Sequence, residues 1–247
     1  MRVRTALACL LPLLAAALLP ASAGAQVFVY SDPALRAGGT PALKKLLVLP
    51  PEVSVYEITA GGVVEKVGDW SRQGRDNVAA SLRRLAPRAR FEIAALPELA
   101  EKDRTRIDEH AALYDVLAGN IWRNRMVADD IFAARAQSGF ADYGIGPGLA
   151  DLADRTGADA LLIVFVHDFV STSERKALFA IGLLLGVGIP LGQTNAAAGL
   201  FDLRTGKLLW QSYDTSVTPD VRKPEDADKI VADLFAAFPG LAPEGGR

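Results

Sequence analysis

Residues 160–166 form an unbroken apolar run, A-L-L-I-V-F-V, with no polar position at which one face could meet solvent. A strand of this composition has to be covered on both faces, which is typical of a central strand in a sheet flanked by helices. A short helical pattern over residues 149–155 precedes the run and ends at Thr156 and Gly157. Because a helix that ends in glycine and leads into an all-apolar strand is typical of α/β proteins, the sequence predicts an α/β fold.

The remaining periodicity predicts the other elements of one domain. Strands are expected over residues 44–49, 53–58, 91–94, 196–203 and 207–213. Helices are expected after Asp69, over residues 98–136 with a break allowed at Gly119-Asn120, and at the carboxyl end, where five residues share a face: Ile230, Val231, Leu234, Phe235 and Phe238. We therefore predict a single α/β domain with a mixed sheet flanked by helices over residues 43–240. A loose leader over residues 26–42 would precede it, and a flexible tail over residues 241–247 would follow it.

The amino terminus has the three parts of a secretory signal peptide. Two arginines lie in the first four residues, an uncharged apolar stretch follows over residues 6–19, and Ala23-Gly24-Ala25 supplies the small residues of a cleavage site. The apolar stretch is shorter than the roughly 20 residues that a membrane-spanning helix needs. We therefore predict that residues 1–25 are a cleaved signal peptide, that the mature chain starts at Gln26, and that the protein works in the periplasm, where it could associate with a membrane.

Composition narrows the classes of function. The single cysteine, Cys9, lies inside the predicted signal peptide and too early for the cleavage site of a lipoprotein. We therefore expect no lipid anchor, and no disulfide, thiolate nucleophile or cysteine metal site in the mature chain. The net charge of −2 becomes −4 when the two arginines of the signal are removed. Because no basic stripe remains to neutralise phosphates, we do not expect binding to nucleic acid.

Residues 202–210 (D-L-R-T-G-K-L-L-W) have the pattern of a tight hairpin in which Trp210 packs on a neighbouring element. The same pattern occurs in quinoprotein-type β-propeller blades, but a propeller needs several copies and this chain has one. Together with residues 46–50 (L-L-V-L-P) and 156–162 (T-G-A-D-A-L-L), it resembles the α/β domain superfamily of the curli secretion channel and of the Tol–Pal translocation protein's amino-terminal domain. The resemblance implies an envelope protein with an α/β domain. The lipid anchor of lipidated members is not carried over, since no cysteine stands at the cleavage site.

Two glycine-containing segments carry a second resemblance. Residues 146–160 and 185–193 are similar to a family of exported proteobacterial envelope proteins. This resemblance implies a location in the cell and does not imply an activity.

The pair His167-Asp168 stands at the carboxyl end of the strongest predicted strand, where open α/β sheets bind ligands. A histidine beside a carboxylate can act as a base. However, adjacent strand residues point to opposite faces, and no G-x-S-x-G motif accompanies the pair.

We expect His110 on the surface of the long helix, and the carboxylates of Asp129 and Asp130 diverging there. Because no phosphate-binding loop, H-E-x-x-H or calcium loop is present, we expect no catalytic residue, no cofactor and no metal.

Residues 177–192 form a run of sixteen uncharged, mainly apolar residues, flanked by Arg175 and Lys176. Gly186-Val187-Gly188 lacks the third glycine of a nucleotide-binding loop. Because the run is apolar on every side, its periodicity does not decide between a buried core helix and a surface that contacts a membrane or another copy. Pairs of glycines four residues apart would let two apolar helices approach closely. We predict a membrane or self-association surface made of Leu178, Phe179, Ile181, Leu183 and Leu184.

Two classes of function remain. The leading hypothesis is a non-enzymatic periplasmic protein of the cell envelope that self-associates into a homo-oligomer or docks on an envelope membrane partner. The alternative is a small periplasmic hydrolase or ligand-binding enzyme that uses the strand end at His167-Asp168. Exposure of the apolar run would favour the first hypothesis. A deep polar pocket on which both His167 and Asp168 converge would favour the second.

Overall fold

The computed structural model describes residues 26–32, 43–126, 143–188, 191–217 and 219–242. Within them, eight strands form one sheet: β1 (Gln26–Ser31), β2 (Lys45–Val48), β3 (Glu52–Ile58), β4 (Val64–Lys66), β5 (Glu92–Ala94), β6 (Ala160–Ser171), β7 (Gly192–Asp202) and β8 (Leu208–Ser216). The same residues form five α-helices: α1 (Gly68–Leu85), α2 (Glu101–Met126), α3 (Asp151–Thr156), α4 (Ser173–Leu184) and α5 (Pro224–Phe235). The predicted α/β domain with a mixed sheet flanked by helices is confirmed.

Strand β6 is the centre of the sheet because three strands pair with it. β7 pairs with it antiparallel over almost its whole length. On the other side, β2 runs parallel to its first residues, with Leu46 opposite Ala160, and β3 runs parallel to its second half, with Val53 opposite Val166. The order across the sheet is β1-β8-β7-β6-β2-β5, and β4 pairs with β3. The apolar run of β6 therefore lies in the middle of the sheet, as its composition predicts.

Helices cover both faces of this sheet. On one face, α2 and α3 pack Tyr114, Ile121 and Leu152 against the odd-numbered residues of β6. On the other face, α1 and α5 pack Val78 and Ile230 against the even-numbered residues of β6. Because side chains alternate along a strand, β6 contributes to both cores, and the domain has three layers.

The predicted loose leader needs correction at its start. Residues 26–31 form β1, which pairs antiparallel with β8 from Gln26 opposite Thr215 to Ser31 opposite Trp210. Tyr30 is buried in the core on the α2 side of the sheet. The local pattern did not show this strand because its partner lies near the other end of the chain. Residues 33–42 lie outside the described part.

The predicted flexible tail also begins too early. The backbone N–H of Ala242 donates to the Arg88 carbonyl at 2.9 Å, and the Arg88 guanidinium donates to the Ala242 carbonyl at 3.0 Å. Leu241 forms a bridge with Ala89. Residues 241 and 242 therefore belong to the folded domain, and residues 243–247 lie outside the described part.

Helix α2 continues through Gly119 and Asn120, where the sequence allowed a break. The end of the predicted helical stretch, with Asp129 and Asp130, lies outside the described residues. The same holds for residues 1–25, so the signal peptide, which contains Cys9, stays a prediction.

Candidate functional site on helix α4

Helix α4 begins directly after β6 and is capped by hydrogen bonds at both ends. The Thr172 hydroxyl accepts a hydrogen bond from the Arg175 backbone N–H at 3.3 Å and caps the first turn. At the other end, the Val187 N–H donates to the Gly182 carbonyl at 2.7 Å, and the Gly186 N–H donates to the Leu183 carbonyl at 3.2 Å. Gly186 adopts a φ of +73°, the left-handed conformation that this type of helix end requires.

The position of α4 in the topology shows that a helix is not required to connect the two strands on either side of it. It lies in the connection between β6 and β7, which are antiparallel neighbours paired up to Val170 opposite Gly192. Antiparallel neighbours can be joined by a two-residue turn. The chain instead places residues 171–188, with a twelve-residue helix, at this end of the sheet.

The apolar side chains of α4 are exposed. Leu184 is 86% exposed and Leu185, just after the helix, is 74% exposed. Leu178, Ile181, Leu183 and Val187 are also exposed, whereas Phe179 is half-buried. Within the helix only Gly182 is buried. The structure thus places four of the five predicted surface residues on the outside, and adds Leu185 and Val187, which belong to the same apolar run. We call these seven residues, with Phe179 included, the α4 surface.

Other exposed apolar residues lie at the same end of the sheet. Val63 and Val64 are exposed in and after the turn from β3 to β4, and the Arg175 guanidinium donates to the Thr59 carbonyl of that turn at 3.4 Å. Val217, exposed directly after β8, follows Ser216, which pairs with Thr194 at the start of β7. This end of the domain therefore combines the α4 surface with further apolar side chains. No helix in the described ranges has the length and apolar character needed to cross a membrane.

The side chains of His167 and Asp168 point to opposite faces of the sheet. The Nε2 atom of His167 lies 2.8 Å from Oδ2 of Asp115 on α2. Asp168 is buried on the other face, where its carboxylate accepts hydrogen bonds from the Thr194 hydroxyl at 2.8 Å and the Val221 N–H at 3.1 Å. The adjacent pair required by the enzyme hypothesis does not form, and Asp168 instead ties β6 to β7 and to the segment before α5.

A polar cavity does open at His167. Its volume is about 380 Å³, and its polar lining comes from Asp115, Asn120, Arg123, Asn195 and Tyr213. None of the described residues that line it is a serine, threonine or cysteine. The pairing of His167 with Asp115 was missed because the two residues lie on different elements and no spacing rule connects them. Among the described residues, no group of three or more His, Cys, Asp or Glu side chains could hold a metal ion.

Burial changes the acidity of two carboxyl groups. Desolvation raises the pKa of Asp168 to about 6, although its hydrogen bonds from Thr194 and Val221 act in the opposite direction. Burial also raises the pKa of Asp214 on β8 to about 6, and the nearby Asp233 adds to the rise. Neither carboxylate lines the cavity at His167, so these shifts bear on stability.

The sequence predicted His110 as a surface residue, but the structure shows it packed against its neighbours. It is half-buried, its Nδ1 lies 2.7 Å from the Arg106 carbonyl, and its ring lies against Gly148. A side chain at position 148 would overlap the imidazole. His110 therefore packs α2 on the loop before α3.

The fold and these sites define a three-layer α/β domain with an exposed apolar helix in the connection between two central strands. No family model and no curated protein matches the sequence. Among solved structures, the chain is similar to the PelC dodecamer from Paraburkholderia phytofirmans, at 12% identity and a TM-score of 0.38, over 86% of this chain and 95% of that chain. It is also similar to a dodecamer of a PelC variant from the same organism, at 12% identity and a TM-score of 0.35, over 86% of this chain and 96% of that chain. Similarity at this level does not define the function or the assembly of this chain.

Proposed function

We propose that this chain is a non-enzymatic protein of the bacterial cell envelope, exported by a signal peptide at residues 1–25, which attaches to a lipid membrane through the α4 surface. The observation that carries the proposal is the exposure of large aliphatic side chains on α4 and directly after it. Each such side chain gains about 1.5–3 kcal/mol when it passes fully from water into an apolar environment. Contiguous apolar surfaces of this kind mark sites of contact with proteins or membranes.

The arrangement of the exposed residues favours a membrane over a flat protein partner. Leu178, Ile181 and Leu185 lie along one side of the helix, and Leu184, the most exposed residue of the four, lies next to Ile181. Leu183 is also exposed and lies on the opposite side. A flat protein surface covers one stripe of a helix. The boundary between headgroups and acyl chains in a bilayer can instead surround the end of a helix. Twelve residues span about 18 Å, which is too short to cross the apolar core of a bilayer and suits a helix in its interface.

Charge at the start of α4 adds to this preference. The first turn carries exposed Lys176 next to Arg175, against the single negative charge of exposed Glu174, while residues 177–188 carry no charge. A basic residue near an anionic lipid surface contributes about 1 kcal/mol. The two parts of the helix therefore suit an anionic headgroup layer and the apolar region below it.

A catalytic role has less support in the geometry. His167 and Asp168 lie on opposite faces of the sheet. The cavity at His167 offers a His–Asp pair without a serine, threonine or cysteine nucleophile among its described lining residues.

Sedimentation with vesicles tests the proposal. The mature chain, residues 26–247, is mixed with phosphatidylethanolamine vesicles that contain phosphatidylglycerol, and bound protein is measured in the pellet. We expect the unmodified protein to co-sediment, and the double variant Ile181→Asp, Leu184→Asp to stay in the supernatant with an unchanged thermal melt. Leu113→Asp is the matched control, because Leu113 is a similarly exposed apolar residue on α2. Its binding should equal that of the unmodified protein.

Light scattering without lipid separates a membrane from a second copy of the chain as the occupant. If the unmodified protein is larger than a monomer and the double variant is monomeric, the α4 surface is a self-association interface and the membrane proposal is wrong. It is equally wrong if the unmodified protein does not bind vesicles, or if the double variant binds them as well.

A further inference from the structure

A second cavity, of about 410 Å³, lies on the face of the sheet that α1 and α5 cover. Leu46 of β2 and Leu162 of β6 form its floor, Leu82 of α1 forms one wall, and Phe235 and Phe238 form another. This volume lies within the range of about 300–1,000 Å³ that is typical of small-molecule sites. The cavity is separate from the α4 surface and from the cavity at His167, with which it shares no lining residue.

The cavity lies where the two covering helices end, because the last residue of each helix lines it. α1 ends at Leu85 and turns into a short 3-10 segment, Ala86–Arg88, which contains Pro87. α5 ends at Phe235. Beside β2 the sheet continues only as the three-residue strand β5, whose Ile93 is partly exposed. The ends of the two helices therefore leave an apolar gap over β2.

The lining has one chemical character with a single exception. Seventeen of the eighteen described residues that line the cavity have apolar side chains, and the eighteenth is Arg83. Leu46, Leu162, Phe235 and Phe238 are almost completely buried. Arg83 is exposed in the last turn of α1, and its side chain makes no ion pair or hydrogen bond with another residue of the described ranges. Its neighbour Arg84, by contrast, is paired with Asp228.

An apolar ligand that fills a cavity of this size gives its lining the close packing of protein interiors, which reach the density of organic crystals. Water gains little in such a gap, since it needs two to four polar partners that the lining does not offer. An aliphatic chain would regain the missing contacts, and a cation at the rim is the partner that an anionic head group requires.

We infer that this cavity binds a single aliphatic chain that carries an anionic head group. The chain lies between Leu82, Leu162 and Phe235, and the head group pairs with the Arg83 guanidinium. This site is independent of the membrane contact proposed for α4.

Calorimetric titration with octanoate, decanoate and dodecanoate, each below its critical micelle concentration, tests the inference on the mature chain. We expect one molecule bound per chain, with an affinity that rises about fourfold for each added methylene. Decyltrimethylammonium, which has the same chain length as decanoate and the opposite charge, should bind more weakly than decanoate. Absence of decanoate and dodecanoate binding would overturn the inference.

Paired substitutions on α1 locate the site. Ala79 lines the cavity and the adjacent Ala80 does not, so Ala79→Phe should weaken decanoate binding at least tenfold while Ala80→Phe leaves it unchanged. Arg83→Gln should weaken decanoate binding about two- to fivefold without changing decanol binding, and Arg75→Gln, an exposed arginine on the same helix, should change neither. Far-ultraviolet circular dichroism checks that each variant is folded.

The α4 surface is the competing location for an amphiphile. Leu184→Asp should leave decanoate binding unchanged. If Leu184→Asp abolishes binding, or if Ala79→Phe leaves it intact, the amphiphile binds elsewhere and the inference is wrong.

Discussion

The indole of Trp210 on β8 packs edge-on against the ring of Phe238, with ring centroids 4.9 Å apart and planes at 85°. Phe235 at the end of α5 also contacts it, with a centroid distance of 6.2 Å. Trp210 is 1% exposed. The tryptophan that ends the D-L-R-T-G-K-L-L-W segment therefore joins the sheet to the last helix.

Replacement of this tryptophan should destabilise the domain. We expect Trp210→Ala to lower the free energy of unfolding by about 3–5 kcal/mol, because it leaves a cavity between β8 and α5. Urea unfolding followed by circular dichroism measures the change. Trp70→Ala is the control: Trp70 is only half-buried and stacks under Arg222, so its loss should cost clearly less. An unchanged midpoint for Trp210→Ala would show that the packing contributes little.

The turn before Trp210 depends on a glycine. Gly206 adopts a φ of +71°, and a side chain there would overlap the carbonyl of Gly146. Strain of the backbone alone costs about 1–3 kcal/mol at such positions. Gly206→Ala should therefore lower the melting temperature, whereas Gly61→Ala, at a turn with open space around it, should have little effect. Equal melting temperatures for the two variants would contradict this account of the hairpin.

Asp168 should make stability depend on pH in an unusual direction. Its pKa in the folded protein is about 6, above the value of about 3.9 for an unfolded aspartate. The folded state therefore binds more protons than the unfolded state between these values, and stability is lost as the pH rises from about 4 to about 6. Asp168→Asn removes this contribution. We expect the stability of the variant relative to the unmodified protein to increase over that range, as measured by urea unfolding at a series of pH values. A constant difference would show that Asp168 has an ordinary pKa.

Export can be checked by the mass of the protein made in its native host. We expect a mature chain that starts at Gln26, because Ala23 and Ala25 suit the cleavage site. Intact mass spectrometry of the periplasmic fraction gives the start directly. A full-length chain in the cytoplasm would contradict the prediction.

The sequence predicted most of the fold through local patterns. The apolar run of β6 and the turn at Gly206 predicted their elements because each depends on residues that are neighbours in the chain. β1 was missed because its pairing with β8 joins distant parts of the chain, and the contact between His167 and Asp115 was missed for the same reason. Periodicity did not decide whether residues 177–188 are buried or exposed, since a helix that is apolar on every side has the same pattern in both cases. The prediction of a surface there rested on the glycine spacing and on the flanking Arg175 and Lys176.

A probe placed on the α4 surface tests the proposed membrane contact most directly. Residues 26–247 contain no cysteine, so Leu184→Cys provides one site for an environment-sensitive fluorophore, and Leu113→Cys on α2 provides the matched control. With phosphatidylglycerol-containing vesicles, we predict that the emission of the label at position 184 shifts to the blue and rises, while the label at position 113 does not change. Identical emission at position 184 with and without vesicles would contradict the proposal.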